Sequence, residues 1–295
     1  MAVVFVVLLF AVFMGIREIF SPFSSGKRRL VPTAENTIGL ITVEGTIAAG
    51  GGGLFSGEGG GDQLLENIRR AGDDPIKALV VRINSPGGSA AASQEIYAEL
   101  KKIREKGKIV VVSMADMAAS GGYLIACAAD YIVANPATVT GSIGVIIDAT
   151  NTQGLYDLLG IEYEVIKSGE FKDTLHPARP LTDAEKELLA VIVGDIYDQF
   201  VDTVVEGRGL GRAKVLTYAD GRVLTGRQAL EIGLVDELGN LYDALDIAAE
   251  KADIKGKPQV HRYGSQNLWN MLFSGSQLNF EPFSFILGER NLLLQ

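Results

Sequence analysis

The stretch from Val110 to Tyr131 constrains the fold of this chain more than any other. An apolar run typical of a buried strand, Ile109 to Val112, leads through small residues into a helical run that starts at Tyr123. The small residues between the two runs include Ser120. A strand that turns sharply into a helix places this serine at the helix N-terminus. Unpaired backbone N–H groups point to that position, and the helix dipole favours negative charge there.

Two interpretations of Ser120 stay open on this evidence. The hydroxyl could be a nucleophile whose oxyanion is stabilised by the backbone N–H groups of the turn. Serine is also among the residues that helices prefer as an N-cap, and the stretch alone favours this structural role.

The same order of apolar strand, Gly/Ser turn and helix recurs along the chain, which predicts an α/β fold with a mainly parallel sheet. The predicted strands are Ile38–Val43, Ala78–Ile83, Ile109–Val112, Tyr131–Ala134, Val145–Asp148 and Glu162–Ile166. The predicted helices include Gln63–Ala71, Ala90–Glu105, Asn151–Leu159, Thr182–Val205, Gly226–Ile232 and Leu241–Ala252. Thr182 is the predicted N-cap of the longest helix, because acidic residues follow it in the first turn.

The N-terminus predicts a membrane anchor. Residues 2–16 are apolar without a break, and the run approaches the length of a spanning helix when it is extended to residue 20. A cleaved signal peptide is the rival interpretation, but a basic n-region and a small-residue cleavage site are not evident. We therefore expect an anchor at 1–20, a juxtamembrane linker at 21–37, a catalytic domain at 38–255 and an apolar tail at 256–295.

The orientation of this anchor is ambiguous. Lys27, Arg28 and Arg29 follow the apolar run, so the positive-inside rule taken literally places the main domain in the cytoplasm. A native start further upstream, with a basic n-region of its own, would reverse that orientation.

Composition excludes several function classes. A net charge of −9 argues against nucleic acid as a partner. Cys127 is the single cysteine, which excludes an intramolecular disulfide and a cysteine-based zinc site, and a buried, inert thiol is expected. With His176 and His261 as the only histidines, a histidine-rich metal site is excluded as well.

Three Gly/Ser turns carry the candidate chemistry: NSPGGS (84–89), ASGGY (119–123) and TGSIG (140–144). Loops after the carboxyl ends of parallel strands are where sites form. The N–H of Gly87 or Gly88, together with that of Gly121, could bind the oxyanion of a carbonyl attacked by Ser120.

A serine nucleophile also needs a base. The candidates are His176 and Lys172, and the spacing does not choose between them.

Four motifs in this order, NSPGG, MAASGGY, TGSIGV and SGEFKD, resemble the signal peptide peptidase SppA (protease IV) family in its short single-domain form. The later segment GRVLTGRQALEIGLVDELGNLYDA is similar to the same family, and the resemblance covers roughly residues 37–255. It implies a Clp protease/crotonase-like spiral of β-β-α units, preceded by an N-terminal transmembrane helix.

The resemblance also implies a role for each site residue. Ser120 corresponds to the nucleophile and Lys172 to the general base of a Ser–Lys dyad. Ser142 corresponds to a serine that orients the lysine, and the N–H groups of Gly87 and Gly121 correspond to the oxyanion hole. No metal, nucleotide or other cofactor is implied.

Further expectations follow from the family. Its members are single-pass proteins of the cell membrane with an extracytoplasmic catalytic domain. They form a homo-oligomeric ring or dome in which neighbouring subunits supply the serine and the lysine of one site. Their substrates are residual signal peptides and other unfolded hydrophobic peptides. Two alternatives remain, a crotonase-like acyl-CoA enzyme and a non-enzymatic membrane scaffold.

Overall fold

The computed structural model describes residues 36–50 and 61–264. The predicted anchor at 1–20, the linker up to residue 35 and most of the apolar tail lie outside these residues. Within the described ranges, no helix combines the length and the hydropathy that crossing a membrane requires.

In the described part of the chain, eight strands form one sheet. The strands are β1 (Thr37–Glu44), β2 (Ala78–Ser85), β3 (Ile109–Ala119), β4 (Tyr131–Ala134), β5 (Val139–Gly141), β6 (Val223–Thr225), β7 (Glu237–Leu238) and β8 (Gln259–Arg262). The main path runs β6-β5-β3-β2-β1-β8, and β4 extends from β3 to β7. All strand pairs are parallel except β5 with β6. The prediction of a mixed α/β fold with a mainly parallel sheet is therefore confirmed.

Helices cover both faces of the central strands. They are α1 (Gly61–Asp73), α2 (Ala90–Glu105), α3 (Gly121–Ala126), α4 (Gln153–Leu159), α5 (Asp183–Arg208), α6 (Arg212–Leu216), α7 (Gly226–Ile232) and α8 (Leu241–Lys251). Because both faces are covered, β2 and β3 are apolar without alternation. Val110 and Val111 show the two faces, since successive side chains of a strand point in opposite directions. Val110 packs into the larger core cluster beneath α1, α2 and α3, while Val111 packs against α8.

The N-terminus of α5 is fixed by the cap that the sequence predicts. The Thr182 side chain accepts a hydrogen bond from the Glu185 N–H, and the Glu185 carboxylate accepts one from the Thr182 N–H. This reciprocal capping box starts the helix one residue after the threonine. The predicted boundaries of α2 and α7 are also confirmed.

The segment 145–182, which we call the arm, departs from the prediction. The strands predicted at Val145–Asp148 and Glu162–Ile166 are wrong, since the backbone has no strand pairing in either range. Apolar alternation favours a strand only where a neighbouring strand can pair with it. Most side chains of the arm face outward instead, and that of Ile166 is 100% exposed.

The carbonyl groups at the C-terminal end of α1 are capped by Lys108, the residue directly before β3. Lys108 Nζ donates hydrogen bonds of 2.9, 2.8 and 2.6 Å to the carbonyl oxygens of Ala71, Gly72 and Asp74. The last carbonyls of a helix have no partner within the helix, so a cation here satisfies them and complements the helix dipole.

We expect Lys108→Met to lower the free energy of unfolding by about 1–3 kcal/mol, because part-buried carbonyls lose their donor. Urea denaturation of the full chain measures the change. Lys106→Met is the matched control, since Lys106 only pairs with Asp73 at the surface and the expected loss is about 1 kcal/mol or less. Equal losses in the two variants would contradict the role of Lys108.

Candidate active site

Ser120 occupies a strained turn between β3 and α3. Its φ and ψ are 51° and −121°, a backbone conformation that side-chain-bearing residues rarely adopt. The Ser120 N–H donates to the Gly141 carbonyl at 2.9 Å, which holds the turn against β5. The residue lies at the N-cap position, yet its hydroxyl makes no capping hydrogen bond. A role as helix N-cap therefore explains neither the absence of a capping hydrogen bond to the Ser120 hydroxyl nor the strained backbone of this residue.

The turn after β2 packs directly against Ser120. A Cβ atom built on Gly87 would lie 2.7 Å from the Gly121 nitrogen and 2.8 Å from the Ser120 Cβ. No side chain fits at that distance, and the φ of Gly87 is +102°. Glycine is required here because two backbone turns approach each other at the position of the serine.

The hydrogen bonds of these turns identify the available N–H donors. The Gly87 N–H donates to Ser85 Oγ at 3.1 Å, so its predicted role in the oxyanion hole requires this hydrogen bond to be exchanged for one to the substrate. Within the described residues, the N–H groups of Gly88 and Gly121 have no acceptor. Gly88 is the alternative that the sequence left open, and its neighbours are held in place. Ile47 donates to the Gly87 carbonyl and accepts from the Ser89 N–H, both at 2.8 Å.

Ser142 lies beside Ser120 because of the pairing between β3 and β5. Ala119 is opposite Gly141 in this parallel pair, and Ser120 and Ser142 are the residues that directly follow them. Ser142 also has a φ of 51°, and its N–H donates to the Arg222 carbonyl at 2.8 Å. The structure thus brings together Ser120, Ser142 and Gly121 of the predicted site.

Within the described residues, Lys172 makes no hydrogen bond or ion pair with this group. It lies exposed in the arm, and in the described residues its hydrogen bond runs from its backbone N–H to the Gly169 carbonyl, at 3.2 Å. The loop that carries it is bonded to Glu185 at the start of α5. Fifteen residues separate Glu185 from Phe200, where α5 packs on the core, which corresponds to about 22 Å of helix. The loop of Lys172 is thus bonded to the end of α5 that lies furthest from Phe200.

His176, the other candidate base, is engaged within the arm. Its Nδ1 accepts a hydrogen bond from the Ala178 N–H at 3.1 Å, and its ring stacks on Tyr163 with centroids 4.4 Å apart. An acceptor Nδ1 leaves the proton of the neutral imidazole on Nε2. This ring has no nitrogen left to take a proton from a serine, which favours Lys172.

Cys127 is buried in the core behind the turn, as the sequence predicts. Burial raises the pKa of its thiol to about 12, so the group stays protonated at neutral pH. A neutral, inaccessible thiol is not a nucleophile. Within the described residues, no three or more His, Cys, Asp or Glu side chains are grouped so that they could hold a metal ion.

The assembled geometry suits acyl transfer. A peptide carbonyl beside Ser120 would meet the serine hydroxyl on one side and two backbone N–H donors on the other. Sequence reasoning missed Ser85, although this residue lies inside the NSPGG motif. Its hydroxyl oxygen accepts a hydrogen bond from the Gly87 N–H. The site still needs a base, and within the described residues no basic side chain forms a hydrogen bond with Ser120.

Comparison with known proteins gives one family. The model of peptidase family S49 matches residues 102–255. The chain is 42% identical to a provisionally named protease of Synechocystis sp., over 79% of this chain and 78% of the relative. It is 37% identical to Protease 4 of Haemophilus influenzae, over 73% of this chain and 35% of the relative. The chain thus spans about a third of Protease 4.

A further relative and a solved structure agree with this match. Serine protease SPPA of Arabidopsis thaliana chloroplasts is 38% identical, over 73% of this chain and 31% of the relative. The structure of the 1510-N membrane-bound stomatin-specific protease, solved as a point mutant, aligns with a TM-score of 0.51. That alignment covers 78% of this chain and 98% of the other at 15% identity, so it shows a shared fold.

Proposed function

The chain belongs to peptidase family S49 and is a serine peptidase, and on this premise we propose that it cleaves residual signal peptides and other unfolded hydrophobic peptides through a dyad of Ser120 and Lys172. The observation that carries the proposal is the geometry of Ser120. Its hydroxyl is uncapped on a strained turn, beside the open N–H groups of Gly88 and Gly121. Strain at a functional residue is retained where the arrangement serves the chemistry.

The proposed reaction follows the usual course of serine acyl transfer. Lys172 in its neutral form accepts the Ser120 proton as the Oγ attacks the peptide carbonyl, and Ser142 orients the lysine. The Gly88 and Gly121 N–H groups stabilise the tetrahedral oxyanion. Its collapse breaks the C–N bond, the lysine returns the proton to the leaving amine, and an acyl-enzyme remains. Water, deprotonated by the same lysine, then releases the acyl group and restores the serine.

A homo-oligomer supplies the missing base in this proposal. Most of the exposed large apolar side chains of the described residues lie between 146 and 192, in the arm and the first half of α5. Soluble monomers rarely expose that much apolar surface in one region. We place this surface against a neighbouring subunit of a ring or dome, built on the Clp protease/crotonase-like spiral. The arm of one subunit then brings Lys172 to Ser120 of the next.

The proposal includes the membrane. Residues 1–20 would form a single-pass anchor in the cell membrane, with the domain at 38–255 outside the cytoplasm, where signal peptides remain after export. The apolar run at 2–16 supports the anchor, whereas the basic residues at 27–29 argue for the opposite orientation. A topology reporter fused to the C-terminus distinguishes the two, and a cytoplasmic signal would reject the extracytoplasmic placement.

The two alternative functions have less support. Membership of a peptidase family sets the non-enzymatic scaffold aside. An acyl-CoA enzyme of the crotonase type would use a similar pair of N–H donors. The relatives named above, however, are proteases rather than acyl-CoA enzymes.

Covalent labelling of Ser120 tests the proposed function. We expect a biotinylated alkyl fluorophosphonate to modify the assembled full-length protein at the peptide that contains Ser120, because the activated hydroxyl attacks phosphorus. Peptide mass spectrometry locates the adduct. Ser120→Ala is the control and should give background labelling. An intact oligomer that carries no adduct, or one on another serine, would reject the assignment of the nucleophile.

A further inference from the structure

An ionic network surrounds the loop that carries Lys172. The carboxylate of Asp173 accepts hydrogen bonds from Lys167 Nζ at 2.7 Å and from Arg179 Nε at 2.9 Å. The other two nitrogens of the Arg179 guanidinium donate to the two oxygens of Glu185, at 2.8 and 2.5 Å. One arginine thus joins the residue that follows Lys172 to the first turn of α5. We call Asp173, Arg179 and Glu185 the arm ion cluster.

The Glu185 carboxylate also accepts hydrogen bonds from uncharged donors. These are the Thr182 N–H at 2.8 Å and the Thr174 hydroxyl at 3.1 Å. The cluster therefore connects three separate pieces of backbone: the turn at 173–174, the extended segment around Arg179, and the capping box of α5. Bidentate arginine–carboxylate pairs fix direction as well as distance, so such a connection is rigid.

The burial of this cluster is unusual for its surroundings. The Glu185 side chain is 1% exposed and that of Asp173 is 8% exposed, although most of the arm faces outward. Hydrogen bonds from Arg179 and the capping box hold the pKa of Glu185 at about 2, and Arg179 and Lys167 likewise lower the pKa of Asp173. Both carboxylates stay ionised and paired at neutral pH. The buried side chains of the cluster are thus charged, namely those of Asp173 and Glu185, whereas the interior of a domain is usually apolar.

Lys172 directly precedes Asp173 in the chain but makes no ion pair with the arm ion cluster in the described structure. Three successive turn hydrogen bonds hold its backbone, from the N–H groups of Lys172, Thr174 and His176 to carbonyls three residues earlier. Lys167 Nζ additionally donates to the Glu170 carbonyl at 2.9 Å, which closes the same loop. The Lys172 side chain stays exposed and makes no ion pair within the described residues. The backbone of the lysine is fixed, and its amine remains available.

We propose that the arm ion cluster is a positioning device, which holds the Lys172 backbone so that its amine reaches the serine of a neighbouring subunit. This inference rests on the proposed function, because it takes Lys172 as the base. Within its own chain, a base carried on an exposed arm has no apolar packing to fix it, and a displacement of about 1 Å in a reacting group can cost about 10²-fold in rate. The cluster supplies the missing rigidity with charge-assisted hydrogen bonds.

Two variants test the proposal in the full-length assembled enzyme. Glu185→Gln keeps the size of the side chain but turns an amide toward Arg179. Arg179→Lys keeps the charge but loses the planar guanidinium that forms two parallel bonds to Glu185 and a third to Asp173. We expect each to lower kcat about 10²-fold and to leave KM within about twofold, since the cluster orients the base and does not touch the substrate. Peptide hydrolysis gives both constants, and light scattering checks that the oligomer persists.

Asp183→Asn is the matched control. It removes a carboxylate from the same helix start, two residues before Glu185, where Asp183 pairs only with the exposed Lys186. Its kcat should equal that of the parent.

The outcomes separate this inference from the proposed function. If Lys172→Ala remains active, the lysine is not the base and the proposed function fails. If Lys172→Ala is inactive while both cluster variants keep the parental kcat, the positioning role is rejected. A loss of kcat that occurs only when the oligomer dissociates assigns the cluster to assembly and also overturns the inference. A fall in kcat with intact assembly and unchanged KM supports it.

Discussion

Lys172→Ala should lower kcat for peptide cleavage at least about 10³-fold, because the only proton acceptor of the proposed dyad is removed. The chain should remain folded, since the Lys172 side chain is exposed and packs against no core residue in the described structure. Steady-state hydrolysis of an unfolded hydrophobic peptide measures the rate. Thermal unfolding and light scattering on the same sample verify that the fold and the oligomer are unchanged.

His176→Ala is the control for this prediction. His176 stands four residues further in the same loop, so its substitution disturbs the arm without removing the lysine. We expect its kcat to stay within about threefold of the parent, because its Nδ1 is occupied by the Ala178 N–H and the ring only stacks on Tyr163. The opposite pattern, an active Lys172→Ala and an inactive His176→Ala, would reverse the assignment of the base.

Two inactive variants should regain activity when they assemble together. Ser120→Ala retains the lysine and Lys172→Ala retains the serine. If each site takes its serine from one subunit and its lysine from the next, an equal, random mixture restores about one half times one half, or about one quarter, of the parental sites. Co-expression of the two chains with different affinity tags, followed by tandem purification and a hydrolysis assay, measures this fraction.

The same experiment distinguishes a shared site from a site within one chain. If the serine and lysine of a single chain formed the site, a mixed oligomer would have no complete dyad and would stay inactive. Separately assembled variants, combined without subunit exchange, are the control and should show no recovery. A tandem-purified hetero-oligomer without activity would therefore contradict sharing, because the presence of both tags proves that the chains met.

The central sheet could be predicted because its signals are local. Apolar runs such as Ala78–Ile83, bounded by turn residues, form strands that helices cover on both faces. The short strands β5 to β8 could not be predicted in the same way. They contain two to four residues each and have little periodicity of their own, and they form because a neighbouring strand is already in place.

In the arm, by contrast, the sequence predicts strands that the structure does not form. Val145–Asp148 and Glu162–Ile166 carry the apolar pattern of strands, but pairing depends on a partner that the described residues of the chain do not provide. The ion cluster escaped prediction for a related reason. A sequence shows Asp173, Arg179 and Glu185 as three ordinary surface charges, and only the folded loop brings them together and buries the two carboxylates.

By itself, the sequence determined the α/β class and the strand–turn–helix unit around Ser120, because these follow from patterns within a few residues. The Ser–Lys dyad was implied by the resemblance of four motifs to a family, since the spacing left His176 and Lys172 open as the base. Only the tertiary structure decided which backbone N–H groups beside Ser120 have no hydrogen-bond acceptor within the described residues. The Gly87 N–H is engaged by Ser85 and that of Gly88 is not, a difference that depends on how two turns pack against Ile47 and Ser120.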